Sequence, residues 1–132
     1  MVRAALWVMA MLLAARAGAM SFAVTTTADV DDGICDAHCS LREAVRAANA
    51  RLGGDEITLP DGVYRLSHTG AREDAAASGD LDVTDDLRLA GSDARRCIID
   101  GVGADRLLQV FNATLELHDV TLRHGAVRAE DG

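Results

Sequence analysis

Three short segments that share one apolar pattern constrain the fold of this chain more than any other feature. They are ITLPDGVYRL at 57–66, LDVTDDLRLA at 81–90 and LQVFNATLEL at 108–117. Each has two alternating apolar positions, a polar or turn-like break, and two further alternating apolar positions. This pattern predicts short strands around turns, and no single unit can bury its apolar face alone. We therefore expect the units to stack in a mainly β fold, a parallel β-helix of about three coils.

The connections between the units favour this stack over its main alternative. Turn-forming residues occupy matching places at Pro60-Asp61-Gly62, Thr84-Asp85-Asp86 and Asn112-Ala113. Parallel crossovers are almost always right-handed, so a right-handed β-helix is predicted. A β-sandwich built from hairpins is the alternative, because it also has short alternating strands. Its two-residue hairpin signals occur only at Asp61-Gly62 and Asp100-Gly101.

The N-terminus predicts export. Arg3 precedes the apolar run AALWVMAMLLAA at 4–15, and Ala17-Gly18-Ala19 follows, which is the pattern of a secretory signal peptide over 1–19. The run is shorter than the ~20 residues that span a bilayer, so no stable membrane span is predicted. Without the leader's 19 residues the chain has 113, and its net charge falls from −8 to −10 as two arginines leave. Such an acidic chain disfavours nucleic acid as a partner.

Cysteine usage follows from this compartment. In an oxidising milieu Cys35 and Cys39 are predicted to form a disulfide that fixes a turn locally. Cys97, beside two isoleucines, fits a small buried hydrophobe. A zinc site from Cys35, His38, Cys39 and Cys97 is the alternative, since the ligand types are suitable, although the second half of a zinc-binding pattern is missing. We expect no metal and no cofactor.

A helix is predicted immediately after the cysteines. Ser40-Leu41-Arg42-Glu43 is a capping box, in which Ser40 and Glu43 satisfy each other's backbone amides. The helix spans 41–52 and ends at two glycines. Its apolar stripe consists of Leu41, Ala44, Val45 and Ala48. A stack of strands exposes its core and unpaired edge at each end, so we expect this helix to cover the first coil.

The charged residues near this helix give no sign of chemistry. Arg42, Arg46 and Arg51 lie off the apolar stripe, which predicts a solvated face. Two acidic clusters are predicted to be solvated turn carboxylates: Asp29, Asp31, Asp32 and Asp36, and then Asp80, Asp82, Asp85 and Asp86. No histidine accompanies a nucleophile motif. We therefore predict no catalytic residue in this chain.

The segment CSLREAVRAAN at 39–49 closely resembles the motif of the CSLREA family, an N-terminal domain of exported bacterial proteins. The later parts of such proteins are usually right-handed parallel β-helices of the pectate-lyase-like kind. The similarity extends through ADVDDGIC at 28–35 and DEITLPDGVYRLS at 55–67. The resemblance implies three parts: the signal peptide at 1–19, a cap with its disulfide turn and helix at 20–54, and the start of a β-helix at 55–132.

The predicted function is that of a structural or adhesive scaffold, secreted or at the bacterial cell surface, including the periplasm or outer membrane. Its expected partner is extracellular carbohydrate or another surface component. The alternative is the N-terminal part of a carbohydrate-active lyase or hydrolase whose active site lies beyond residue 132. The chain ends after about three coils with no terminal cap in its sequence. This predicts a fragment, a truncated product, or a short form that self-associates through its open C-terminal coil.

Overall fold

A computed structural model describes residues 19–67, 79–103 and 106–125. Apart from Ala19, the predicted signal peptide lies outside these residues. The described chain consists mainly of parallel strands with one short helix, so the prediction of a mainly β fold is confirmed. None of the helices in the described ranges is long and apolar enough to cross a membrane.

Nine strands and one helix make up the described chain. In chain order they are β1 (Ser21–Ala23), α1 (Leu41–Asn49), β2 (Asp55–Leu59), β3 (Gly62–Arg65), β4 (Leu81–Val83), β5 (Leu87–Gly91), β6 (Cys97–Asp100), β7 (Leu108–Val110), β8 (Leu115–His118) and β9 (Thr121–Arg123). The helix ends at Asn49, three residues before the predicted boundary at 52.

The strands form three parallel sheets that the chain visits in turn. Sheet one has the order β1-β2-β5-β8, sheet two β3-β6-β9 and sheet three β4-β7. The three strands β2, β3 and β4 therefore belong to sheets one, two and three, and β5, β6 and β7 repeat this order. Parallel neighbours cannot be joined by a hairpin, so from β2 onwards each strand pairs with the strand three places away along the chain. The exception is the pair of β1 and β2, which are joined through α1.

The register of the sheets places apolar residues on apolar residues. Ile57 pairs with Leu89 in sheet one, and Leu89 pairs with Leu117. The other such pairs are Tyr64 with Ile99, Ile99 with Leu122, Leu81 with Leu108, and Val83 with Val110. Because side chains alternate between the two faces of a strand, this register keeps one apolar face aligned through successive strands.

The register corrects one part of the predicted repeat. Segments 81–90 and 108–117 match as expected, since each supplies a strand of sheet three and then one of sheet one. Segment 57–66 instead supplies strands of sheets one and two, so Ile57 pairs with Leu89 and not with Leu81. Apolar residues alternate in the same way on both sides of every turn between two sheets. The pattern therefore does not show which two sheets a given turn connects. Ahead of β2, where a strand of sheet three would otherwise stand, lies α1.

The core includes one corner where the backbone approaches unusually closely. A Cβ atom on Gly91 would lie 2.2 Å from the carbonyl oxygen of Asp119 and 2.9 Å from Cys97 Sγ, so only glycine fits here.

Cys97 is buried, as the sequence suggests, and burial raises the pKa of its thiol. Tyr64 is also buried, and its hydroxyl donates to the carbonyl oxygen of Pro60 at 2.6 Å. Burial, with smaller contributions from Cys97 and Asp61, raises the pKa of Tyr64 to about 12.

Candidate functional site

The helix α1 lies over one end of the sheets. Its stripe of Leu41, Ala44, Val45 and Ala48 is buried in the common core, and the helix contacts β1, β2 and β4. Apolar burial of this kind contributes about 25 cal/mol per Å² removed from water, which compensates for the modest stability of a helix of nine residues.

The N-terminus of α1 is tied to the loop before it. Ser40 Oγ accepts from the Glu43 amide at 3.1 Å, and Glu43 Oε1 accepts from the Ser40 amide at 2.8 Å, which completes the capping box. Both side chains also form hydrogen bonds with the backbone of the preceding loop. Ser40 Oγ donates to the Val30 carbonyl at 2.6 Å, and Glu43 Oε2 accepts from the Asp32 amide at 2.8 Å. The two capping residues therefore order the acidic loop as well as the helix.

The predicted disulfide between Cys35 and Cys39 is present. Cys39 is buried, and its amide donates to Thr25 Oγ1 at 2.8 Å, while its carbonyl accepts from the Thr25 amide at 2.8 Å. The loop is thereby fixed to the chain that follows β1. In the ranges that the structure describes, no three histidine, cysteine, aspartate or glutamate side chains are grouped to hold a metal, so the alternative zinc site is not formed.

Arg42 is buried, and the prediction that it belongs to a solvated face is wrong. Its Nε and Nη2 donate to the two carboxylate oxygens of Asp29 at 2.7 and 2.9 Å. Its Nη2 also donates to the Gly79 carbonyl at 2.8 Å. The two side chains are 0% and 3% exposed, so the prediction that Asp29 is solvated is wrong as well. A bidentate geometry suits a buried guanidinium, whose desolvation must be offset by well-directed hydrogen bonds.

The next arginine of the helix differs in its surroundings. Arg46 is 40% exposed and contacts Asp31, whose side chain is mostly buried. The prediction that Asp31 is solvated is therefore wrong for its side chain, whereas Arg46 is partly exposed. An ion pair with one partner in contact with water contributes less to stability than a fully buried one. Asp32 and Asp36 are exposed, as predicted for turn carboxylates.

The C-terminus of α1 contacts sheet three through a residue that sequence reasoning missed. The side-chain amide of Asn49 donates to the Asp82 carbonyl at 2.7 Å, and its Oδ1 accepts from the Thr84 amide at 3.0 Å. Asn49 thus pairs with the backbone of β4 and its following residue much as a neighbouring strand would. The available signal was an Asn at the end of a helix that was expected to cover unpaired strand edges.

The second acidic cluster is split between the core and the surface. Asp80 and Asp82 are buried, so the prediction of solvated carboxylates is wrong for both. Asp80 accepts from Arg106 Nε at 2.6 Å. Asp85 and Asp86 lie in the turn between β4 and β5, where Asp86 Oδ1 accepts from the Thr114 amide at 2.9 Å. Asp80 thereby links β4's start to the chain that leads into β7.

The opposite end of the sheets, formed by β7, β8 and β9, is apolar, and no further element covers it among the residues that the structure describes; we call it the open end. Val110, Leu117 and Leu122 are 41%, 40% and 38% exposed. Their register partners in the preceding strands are all fully buried: Val83, Leu89 and Ile99. The side chains that would form the next layer of the core are therefore in contact with solvent.

One charged cluster braces the last described turn. Asp100 accepts from the Val102 amide at 2.8 Å, from Arg123 Nε at 3.0 Å, and lies 3.0 Å from His124 Nδ1. These contacts, the backbone amide first, lower the pKa of the Asp100 carboxyl to about 2. His124 adopts a left-handed backbone conformation, with φ of 56°. The contact with Asp100 helps to hold His124 in this conformation, which costs free energy for any residue other than glycine.

A shallow groove of about 730 Å³ runs along the start of sheet one. Arg88 lies in it between Glu56 and Glu116, with N–O distances of 3.1 and 3.9 Å. Ala19, Met20 and Asp55 also line this groove.

Comparisons of the chain with protein-family models, curated proteins and solved structures find no match.

Proposed function

We propose that this chain is the N-terminal module of an exported, right-handed parallel β-helix protein, and that it serves as a structural or adhesive scaffold. The order in which the chain enters the three parallel sheets supports the β-helix. From β2 onwards, successive strands join sheets one, two and three in a repeating order, so each complete circuit adds one strand to each sheet. The resemblance of 39–49 to the CSLREA motif and the signal-peptide pattern at 1–19 support export.

The observation that carries the proposal is the difference between the two ends of the sheets. At one end α1 covers the core, and Asn49 takes up backbone groups of β4. At the other, Val110, Leu117 and Leu122 continue three apolar rows whose earlier members are buried. A module with one closed end and one apolar, strand-edged end is suited to start a stack that further coils extend.

Expression of the full chain, with a C-terminal epitope, in an exporting bacterium tests the proposal. We expect loss of the leader and an epitope outside the inner membrane. The control variant carries Leu12→Arg and Leu13→Arg, which interrupt the apolar run. An epitope found only in the cytoplasm for both proteins would refute export. Binding of the purified protein to polysaccharides then distinguishes the roles: binding by this chain favours the adhesive role, and cleavage only by a longer form favours the enzyme.

Self-association through the open end is a separate part of the proposal. Leu117→Lys should abolish any concentration-dependent dimer seen by light scattering, because it places a charge on the apolar end. Leu52→Lys is the matched control, since Leu52 is 91% exposed and follows α1 at the closed end. A protein that is monomeric at all concentrations, or equal effects of both variants, would exclude self-association through this end.

A further inference from the structure

The first residues that join the described fold have an unusual acceptor. Met20 lies just before β1, and its carbonyl oxygen accepts from the Glu56 amide at 2.9 Å. Its backbone nitrogen donates to Asp55 Oδ1 at 2.9 Å. Asp55 is 3% exposed, and its Oδ2 atom is buried with no hydrogen-bond partner among the residues described. A buried carboxylate is therefore matched here by one neutral amide.

This arrangement is poorly balanced for an uncleaved chain. Burial of a carboxylate is costly unless a cation or several donors compensate for the lost water. Arg88, the cation of the same groove, pairs with Glu56 and Glu116. Asp55 thus holds one donor in place and leaves a second, buried oxygen for another.

The sequence places a predicted cleavage site at the same point. Ala17-Gly18-Ala19 ends directly before Met20, and signal peptidases cut after such small residues. Hydrolysis by the exporting cell's peptidase breaks the Ala19–Met20 C–N bond. The water's hydroxyl goes to the Ala19 carbonyl carbon, and its hydrogen goes to the Met20 nitrogen. At neutral pH that amine binds a further proton and becomes an ammonium group with three N–H donors.

We propose that Asp55 is the acceptor for the α-ammonium group that leader removal creates at Met20. The inference rests on the export proposed above. The ammonium group would keep the existing contact with Oδ1, add a donor for the buried Oδ2, and supply the missing positive charge. The groove that Met20 and Asp55 line provides space beside the Met20 nitrogen for this group. Removal of the leader would then stabilise the mature fold, and only cleavage at this bond places the amine against Asp55.

The composition of the chain makes this contact directly testable. All 13 basic residues counted as lysine or arginine are arginines, so the α-amine is the only primary amine in the protein. Acetylation removes its charge and restores an amide like that of the uncleaved chain. Reductive dimethylation keeps the charge on the same nitrogen but leaves only one of its three N–H donors.

The experiment measures unfolding of the exported, processed protein in denaturant after intact mass has established its N-terminus. We expect the intact mass of a chain that begins at Met20. Acetylation of its α-amine should raise the unfolding equilibrium constant about 10-fold or more, which is the range for a charge-assisted hydrogen bond. Dimethylation keeps the charge and one donor but loses the donor for Oδ2, so its effect on the same constant should be smaller than that of acetylation. In Asp55→Asn protein, acetylation should have little effect, whereas in Glu56→Gln protein, the control in the same groove, its effect should persist.

The outcomes separate this inference from the function on which it rests. Processing at another bond, or equal effects of acetylation and dimethylation, would overturn the pairing while leaving export intact. This second comparison needs no variant, so it holds even if Asp55→Asn fails to fold. Failure of export would refute the proposed function and the maturation step together. The chain released in vitro from a cleavable fusion, with Met20 first, would then report whether the pairing itself also fails.

Discussion

The two ends of the stacked sheets differ in whether their unpaired backbone groups and apolar side chains are covered. A parallel stack exposes unpaired backbone groups and apolar side chains wherever it stops. At the end covered by α1, a helix, a buried ion pair and the Asn49 amide meet these groups. At the end formed by β7, β8 and β9, the apolar rows continue into solvent. The comparison shows that the cap is built from polar contacts around an apolar stripe, whereas the open end repeats the stack's own pattern.

The largest expected effect tests the buried ion pair of the cap. Arg42→Ala should lower the free energy of unfolding by about 3–5 kcal/mol, because it leaves the Asp29 carboxylate buried without its main partner. Arg46→Ala is the matched control on the same helix. Its pair with Asp31 is partly exposed, so a loss of about 1 kcal/mol or less is expected. Similar losses for both in urea melts would show that burial of Arg42 does not distinguish it.

The second prediction compares register partners in sheet one. Leu89→Ala should cost about 2–5 kcal/mol, since Leu89 is fully buried in the middle of the stack. Leu117→Ala, one strand further on, should cost about 1 kcal/mol because part of that side chain is already in water. Equal costs would mean that the open end is covered in solution. Measurement over a range of protein concentrations would show whether self-association covers it.

The third prediction concerns the contact between α1 and sheet three. Asn49→Ala should cost about 1–2 kcal/mol, because the Asp82 carbonyl and the Thr84 amide both lose a partner. Asn49→Asp keeps the acceptor for the Thr84 amide but sets a carboxylate oxygen against the Asp82 carbonyl and a negative charge at the C-terminus of the helix, so its cost at neutral pH should be at least as large. Hydrogen exchange at the Thr84 amide should accelerate in the alanine variant and stay slow in the aspartate variant. The opposite order would contradict the proposed contact.

The smallest expected effect lies at the open end and only at acid pH. Contacts with Asp100 lower its pKa from 3.8 to about 2. Its contribution to stability is therefore fully present above pH 3.8 and is lost as the pH falls towards 2. Asp100→Asn should make the decline in stability over this interval shallower. Asp119→Asn, at an exposed turn, should leave the decline unchanged, and a matching change in both variants would exclude Asp100 as its cause.

The sequence predicted the parts of this molecule that depend on local chemistry. The capping residues, the apolar stripe and the strand alternation are read within a few positions of each other, and the Cys35–Cys39 bond closes a ring of similar size. The phase of the first repeat was wrong because alternation around a turn does not tell which two sheets the strands join.

The buried Arg42 was missed for a geometric reason. At about 100° per residue, Arg42 lies about 60° from the edge of the apolar stripe, whereas Arg46 lies about 100° from it. A border position with a long side chain can turn either towards solvent or inward. The choice depends on Asp29 and the Gly79 carbonyl, 13 and 37 residues away along the chain. A periodic pattern within one helix contains no information about such partners.

These distant partners of α1 have a kinetic consequence. The helix depends on the Gly79 carbonyl, the Asp82 carbonyl and the Thr84 amide, which lie 33 to 37 residues further along the chain than the side chains that bind them. Contacts that close loops of this size form slowly compared with the turns of a helix. A chain emerging from its N-terminus therefore cannot complete its cap until residue 84 has followed. The contacts that complete the cap at α1 can therefore form only after the chain has made one full circuit through the three sheets.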